Sequence, residues 1–261
     1  MTAVAKTVLI TGAAQGLGLT AATLLSQSEY RVILVDIQSV DAQVLRLRDS
    51  GAEARGICGD VSSEAFVLEL AHMIGHEYGA LDGLVNNAGI SLIVPAEQTS
   101  AAQWQRVMAI NLFAPFLLCR NLGTQMLRRG TGSIVNVASI AGLAAVSHRS
   151  AYNASKHGLV GLTKTLAAEW GGRGVRVNAV CPGWIKTEMD AADQGAGAYS
   201  DEDIVDRVPL ARFARADDVA EAIAFLLDAS RSAFINGISL PVDGGWLADA
   251  SWNSLRLQTR L

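Results

Sequence analysis

Short runs of Val, Ile, Leu and Ala recur along the chain, separated by longer stretches in which apolar residues return every three or four positions. The first pattern reads as buried strand and the second as amphipathic helix. The runs fall at Thr7–Thr11, Arg31–Asp36, Ala54–Asp60, Leu81–Asn86, Ser133–Ser139, Val175–Val180 and Ile238–Val242. Strands that are apolar on both faces and joined by helix-length crossovers call for a parallel sheet covered on both sides. The pattern therefore predicts an α/β, doubly wound fold of about seven parallel strands with helices on both faces. Neither a repeat nor a linker divides the sequence, so one domain is expected over residues 1–261.

Two segments depart from this texture. Residues 188–215 are rich in Ala, Gly, Asp and Glu with weak periodicity, and they follow the turn Pro182-Gly183. Poor packing residues beside a turn suggest a mobile flap over a site. The tail, 246–261, carries Trp252, Leu255 and Leu257, which need an apolar partner.

Composition narrows the classes of function. Half of the residues are hydrophobic and 18% are charged, so a sizeable core is expected. The net charge of −4, with no basic cluster, argues against nucleic acid as a partner. Polar or charged residues interrupt every apolar segment before membrane-spanning length, so no membrane association is expected. Cys58, Cys119 and Cys181 are widely spaced, which suits a cytoplasmic, reducing setting without disulfides.

The first strand runs into Gly12-Ala-Ala-Gln15-Gly16-Leu17-Gly18, where a helical pattern begins. Glycines there let backbone N–H groups approach a pyrophosphate, and the helix N-terminus adds partial positive charge. With this loop the fold reads as Rossmann-type. Asp36 ends the second strand 18 residues beyond Gly18, placed to accept hydrogen bonds from ribose hydroxyls and to repel a 2′-phosphate. Neither Ala13–Gln15 nor Ile37–Val40 contains Arg or Lys, so NAD is expected rather than NADP. Asp36 could equally cap a loop. Asp60-Val61 and Asn86-Asn87-Ala88-Gly89 close the third and fourth strands at the same carboxyl edge, with Asn86 as well suited to tying strands together.

Tyr152 and Lys156 stand four apart on one helical face. An ammonium and a positively charged nicotinamide would both favour the phenolate and let Tyr152 move a proton. Ser139 ends the fifth strand, where its hydroxyl could bond a substrate oxygen, although a serine there also suits a turn. Asn111 lies among apolar residues in the helix Ser100–Arg129 and needs a partner, either a structural hydrogen bond or a water relay.

Taken together, Thr11-Gly12-x-x-x-Gly16-x-Gly18, Asp60, Asn86-Asn87-Ala88-Gly89, Asn111, Ser139, Tyr152-x-x-x-Lys156, Asn178, Pro182-Gly183, Ile185-x-Thr187 and Asp243-Gly244-Gly245 resemble the compact branch of the short-chain dehydrogenase/reductase superfamily. The resemblance spans residues 7–245. It implies a catalytic tetrad of Asn111, Ser139, Tyr152 and Lys156. It also implies a dinucleotide held by Gly12, Gln15, Gly16, Leu17, Gly18, Asp36, Ile37, Asp60, Val61, Asn87, Ala88, Gly89, Tyr152, Lys156, Pro182, Gly183, Ile185 and Thr187. Assembly as a homotetramer through the helices near 100–129 and 151–171 is implied as well. Gln15 stands where NADP-using relatives often carry Arg, in agreement with Asp36.

The reading is an NAD-dependent oxidoreductase interconverting a secondary alcohol and its ketone, on a polyol, sugar or other hydroxylated small molecule. Ser139, Ala141, His148, Trp184 and Met189 would line the substrate space, with His148 and Arg149 as its polar members. The alternatives are an NADPH-linked ketoacyl reductase, which would want a basic surface, and a dinucleotide-binding module without turnover. His72 and His76 have metal-like spacing but no acidic or cysteine partner, so no metal is expected.

Overall fold

The computed structural model describes residues 6–28, 30–195 and 199–258. Seven parallel strands form one sheet: β1 (Lys6–Thr11), β2 (Tyr30–Asp36), β3 (Ala54–Cys58), β4 (Gly83–Asn86), β5 (Gly132–Val137), β6 (Val175–Pro182) and β7 (Ser239–Val242). Their order is β3-β2-β1-β4-β5-β6-β7. Each expected strand is present, with ends displaced by one or two residues. The order reverses between β1 and β4, and a sheet of this kind opens a crevice at that point, outside the carboxyl ends of the strands.

Alternation along β1 divides the core. Val8 and Ile10 face one side, where helix α1 (Gly16–Ser26), helix α2 (Asp41–Asp49) and the helix Ala216–Leu227 supply Ala21, Leu25, Val44, Val219 and Ile223. Leu9 faces the other, against helix α3 (Glu64–Tyr78) and the helices Ala101–Arg129 and Ser150–Trp170, through Ile74, Leu117, Leu122 and Trp170. Each fully buried Leu or Ile contributes about 2 to 3 kcal/mol. The central strands are therefore the anchor, and the half-buried edge strands β3 and β7 lean on them.

The helix Ala101–Arg129 is long and apolar enough to cross a membrane by length and composition, which the interruptions in its sequence do not suggest, and 56% of its most apolar stretch is buried inside the fold. It is not regular: two π turns, Ala109–Phe113 and Cys119–Gly123, interrupt it. A π turn admits one extra residue and rotates the downstream face. Here that rotation lets Asn111 be fully buried while Phe113 and Phe116 remain exposed.

The segment read as a flap lies partly outside the described residues. Its described part forms two helices, Glu188–Gly195 and Asp201–Arg207, the second opened by a capping box in which Ser200 and Asp203 bond each other's backbone N–H. Arg207 ties the second helix to the tail through the carbonyls of Trp246 (3.2 Å) and Asp249 (2.8 Å). Small and acidic residues weaken apolar packing, but here polar bonds replace it. Residues 196–198, including Gly197, lie outside the described part, as do 259–261 and the side chain of Leu257; Trp252 and Leu255 are exposed.

Between β4 and β5 the sheet contains a buried polar chain. Asn86 donates to Asn136 Oδ1 (2.8 Å), Asn136 donates to Thr163 Oγ1 (2.9 Å), and Thr163 donates to the Leu159 carbonyl (2.8 Å). This is the strand-tying role of Asn86. Substituting Asn136→Ala removes two buried hydrogen bonds, each worth about 1 kcal/mol, and leaves Asn86 with the Cys119 Sγ and Thr163 with the Leu159 carbonyl. Urea unfolding should show a loss of about 2 kcal/mol, and a loss below about 0.5 kcal/mol would mean that the chain carries no stability.

Candidate active site

Gly12 leaves β1 with φ +65°, a conformation that favours glycine, and a Cβ there would lie 2.8 Å from the Ala88 Cα. The loop can therefore press against the end of β4. Asn87 fixes the approach by donating from Nδ2 to the carbonyls of Thr11 (2.9 Å) and Gly12 (3.0 Å), while the Thr11 hydroxyl accepts the N–H groups of Asn87 and Ala88, both at 3.1 Å. Gly18 supports the loop from behind, since a Cβ there would meet the Gly12 carbonyl oxygen at 2.1 Å.

A cleft of about 400 Å³ runs along the carboxyl ends of the strands from this loop. At one end the Asp36 carboxylate accepts the N–H groups of Ala14 (2.9 Å) and Gln38 (3.0 Å), so it caps the loop and borders the cleft at once. Asp60 stands nearby, its carboxyl held below the usual range chiefly by the Ser62 hydroxyl, against burial and with help from Arg106. Helix α1 opens on the cleft with no side-chain cap and no acidic residue in its first turn. Its first N–H groups thus have an anion-binding arrangement.

The residues fit a nicotinamide dinucleotide. Gly12, with no Cβ to meet Ala88, lets the loop close on the end of β4, and the uncapped N–H groups of helix α1 suit a pyrophosphate. Of the expected binding residues, Gln15, Gly16, Leu17, Ile37, Val61, Ala88, Gly89, Pro182, Gly183, Ile185 and Thr187 line the same cleft with Gly12, Asp36, Asp60 and Asn87. Gly18 lies beneath it.

At the other end stand Ser139, Tyr152 and Lys156. Ser139 terminates the β5 segment, its hydroxyl oxygen accepting the Ala141 N–H (3.1 Å) and its side chain hydrogen-bonding Tyr152. The Lys156 Nζ donates to the Val137 carbonyl (2.8 Å) and lies 5.6 Å from the centre of the Tyr152 ring. Burial lowers the Lys156 ammonium to about 8. Burial likewise pushes the Tyr152 phenol above its ordinary value, while the Ser139 bond and Arg149 pull it down and Asp193 opposes them. Burial, the largest of these effects, runs against the low phenol that the Tyr-Lys spacing suggests.

Asn111 is buried and does not border the cleft. Its Oδ1 accepts the Ile90 N–H (2.9 Å), and its Nδ2 donates to the Ile90 carbonyl (3.0 Å) and the Ser155 hydroxyl (3.2 Å). The structural hydrogen bond is thus made, and it shapes the loop after Gly89. Ala141, Trp184 and Met189 line the cleft, whereas His148 does not: it is exposed at φ +59°, with its carbonyl accepting the Val94 N–H (2.8 Å). The turn directs the next residue, Arg149, inward instead.

Among the lining residues that sequence reasoning did not single out are Asp190, Asp193 and Tyr199, all in the segment read as a flap. Arg149 donates to Asp193 Oδ2 (2.9 Å) and to the Ser91 hydroxyl (2.9 Å), which itself donates to Asp193 (3.0 Å). Tyr199 donates to Asp190 (2.7 Å) and packs edge-on against Trp184, which stacks on Trp246 with ring centres 4.4 Å apart. Arg149 and Asp193 are 44 residues apart, so no local signal announces the pair; the acidic texture of the flap was its only trace.

A family model described as enoyl-(acyl carrier protein) reductase matches residues 12–247. A D-threitol dehydrogenase of Mycolicibacterium smegmatis is 41% identical over 246 residues, covering 92% of each chain. A cis-4-hydroxycyclohexanecarboxylate dehydrogenase of Sinomonas cyclohexanicum is 38% identical over 245 residues, covering 93% of this chain and 97% of that one. The crystal structure of a gluconate 5-dehydrogenase from Burkholderia cenocepacia, in complex with NADP and tartrate, is similar at TM-score 0.88 and 31% identity, covering 94% of this chain and 96% of the other.

Buried Lys156 gives a stability signature. Its folded value, about 8, lies below its ordinary 10.5, so the unfolded chain binds more protons between the two. Stability from this group is thus gained as pH rises through about 8, complete above 10.5, and lost as pH falls. Between about pH 7 and pH 9 the wild type should gain about 1 kcal/mol relative to Lys156→Met. Denaturation of both proteins across that range measures it, and parallel profiles would contradict the lowered value.

Proposed function

The chain belongs to the short-chain dehydrogenase/reductase superfamily, and from that membership we propose that it is an NAD-dependent dehydrogenase interconverting a secondary alcohol and its ketone. The observation that carries the reading is the meeting of Ser139, Tyr152 and Lys156 at one end of a cleft whose other end is bordered by Asp36. The bound dinucleotide supplies or accepts the hydride. Tyr152 takes the alcohol proton during oxidation and returns one to the ketone oxygen during reduction. Ser139 accepts the Ala141 N–H with one lone pair and keeps its hydrogen for the reacting oxygen or the phenol. Lys156 keeps a cation beneath the ring, and Asn111 holds the loop that follows Gly89 in place.

NAD rather than NADP is supported by the Asp36 carboxylate, which two backbone N–H groups keep beside the glycine loop. Arg106, a cation on the same cleft, pairs with Asp60 at 3.6 Å. The NADP in the gluconate dehydrogenase structure favours a second reading, an NADP-linked enzyme, which the cofactor comparison below decides. A homotetramer is part of the proposal, supported by Trp104, Phe113 and Phe116, all exposed on the helix Ala101–Arg129. A cytoplasmic setting is supported by three cysteines that form no disulfide.

NAD(H) should be used with at least tenfold higher kcat/KM than NADP(H), a difference of about 1.4 kcal/mol. Asp36→Ala should relax that preference and keep activity. Equal efficiency with both cofactors in the wild type would favour the second reading. Tyr152→Phe should bind NADH as the wild type does, by fluorescence titration, and lose more than nine-tenths of kcat with alcohols or ketones. Retention of more than about a tenth of kcat would remove Tyr152 from the proton step.

A further inference from the structure

The substrate end of the cleft is bordered by one arginine whose charge is already spent. Arg149 is 11% exposed and Asp193 15%, and they pair at 2.9 Å with Ser91 bonded to both. The guanidinium lies 5.7 Å from the centre of the Tyr152 ring, so the pair stands beside the position of the reacting oxygen. A second carboxylate, Asp190, also borders this end; it accepts the Tyr199 hydroxyl and lies 3.4 Å from Lys186. Among the described residues here, Arg149 and Lys186 each have a carboxylate partner, while Lys156, beneath the Tyr152 ring, is bonded to the Val137 carbonyl.

This arrangement discriminates by charge. A carboxylate or phosphate on the substrate only accepts hydrogen bonds and carries negative charge. To reach Arg149 it would have to displace Asp193 or stand beside it, in surroundings that screen repulsion poorly. A neutral hydroxyl both donates and accepts. It can give its hydrogen to an Asp193 oxygen and take one from Arg149 without disturbing the pair.

We infer that Asp193 is a specificity-determining residue: by neutralising Arg149 it reserves the site for neutral polyhydroxylated alcohols and rejects hydroxy acids of the same size. The inference rests on the dehydrogenase reading and deepens it. The charge of Asp193 sets the preference, while its hydrogen bonds seat the helix Glu188–Gly195 against Ser91 and Arg149. Asp193→Asn keeps the shape of those bonds and leaves the Arg149 charge uncompensated, ready for an anionic substrate.

The test compares a tetritol with a hydroxybutyrate under saturating NAD⁺. The wild type should oxidise the tetritol with at least tenfold higher kcat/KM. In Asp193→Asn that ratio should fall at least tenfold, mainly through a lower KM for the acid, and the further replacement Arg149→Gln should abolish the gain. Calorimetric titration of the wild-type NAD⁺ complex with each compound gives the same comparison without turnover, and it serves if Asp193→Asn fails to fold. Wild type that oxidises or binds the acid as well as the tetritol overturns the inference and leaves the dehydrogenase reading standing. An unchanged ratio in folded Asp193→Asn overturns the role of Asp193. If neither alcohol is oxidised, the dehydrogenase reading is what suffers, and the two dissociation constants still decide whether the site rejects acids.

Discussion

The chains leaving β1 and β4 touch backbone to backbone, and the cleft depends on the absence of any side chain between them. A Cβ on Gly12 would fall 2.8 Å from the Ala88 Cα, and one on Gly18 would fall 2.1 Å from the Gly12 carbonyl oxygen. That contact sets the height of helix α1 above the sheet and so the direction of its uncapped N–H groups. Asn87 and Thr11 then lock the two strand ends together with four hydrogen bonds. Wherever the sheet order reverses, the crevice is available; here the glycines let the loop and helix α1 close on the strand ends that border it.

Reactivity at the far end follows from burial as much as from composition. Lys156 and Tyr152 sit on one face of a helix packed against β5 and β6, and both are moved toward their neutral forms by loss of water. Further positive charge in the cleft would favour the phenolate. The ion pair of Arg149 and Asp193 plays the opposite part. It supplies donors and acceptors to the site without supplying net charge.

Much of this was legible in the sequence because the relevant signals are local. Strand runs, the glycine loop, Asp36 and the Tyr-Lys spacing each occupy a handful of consecutive residues, and the sheet brings them to a common edge. Errors arose where geometry overrides local pattern. The helix Ala101–Arg129 reads as continuous, yet its two π turns decide which residues face inward. The stretch before Tyr152 offers both His148 and Arg149, and only the positive φ at His148 determines which of them borders the cleft. The flap reads locally as small and acidic residues, while its partners Ser91, Arg149 and Asp249 lie far away in sequence and leave no local signal.

The three thiols are unequal in a way that makes the cleft observable. Cys119 and Cys181 are buried, and burial pushes their thiols up to about 12 and about 11, so neither offers a thiolate near neutrality. Cys58 is exposed at the end of β3, its Sγ 3.3 Å from the Ile37 carbonyl, beside the residue that follows Asp36. An alkylating dye would therefore settle on one position, at the rim where the cleft is bordered by Asp36. The native chain carries its own attachment point for a reporter, with no need to remove or add a cysteine.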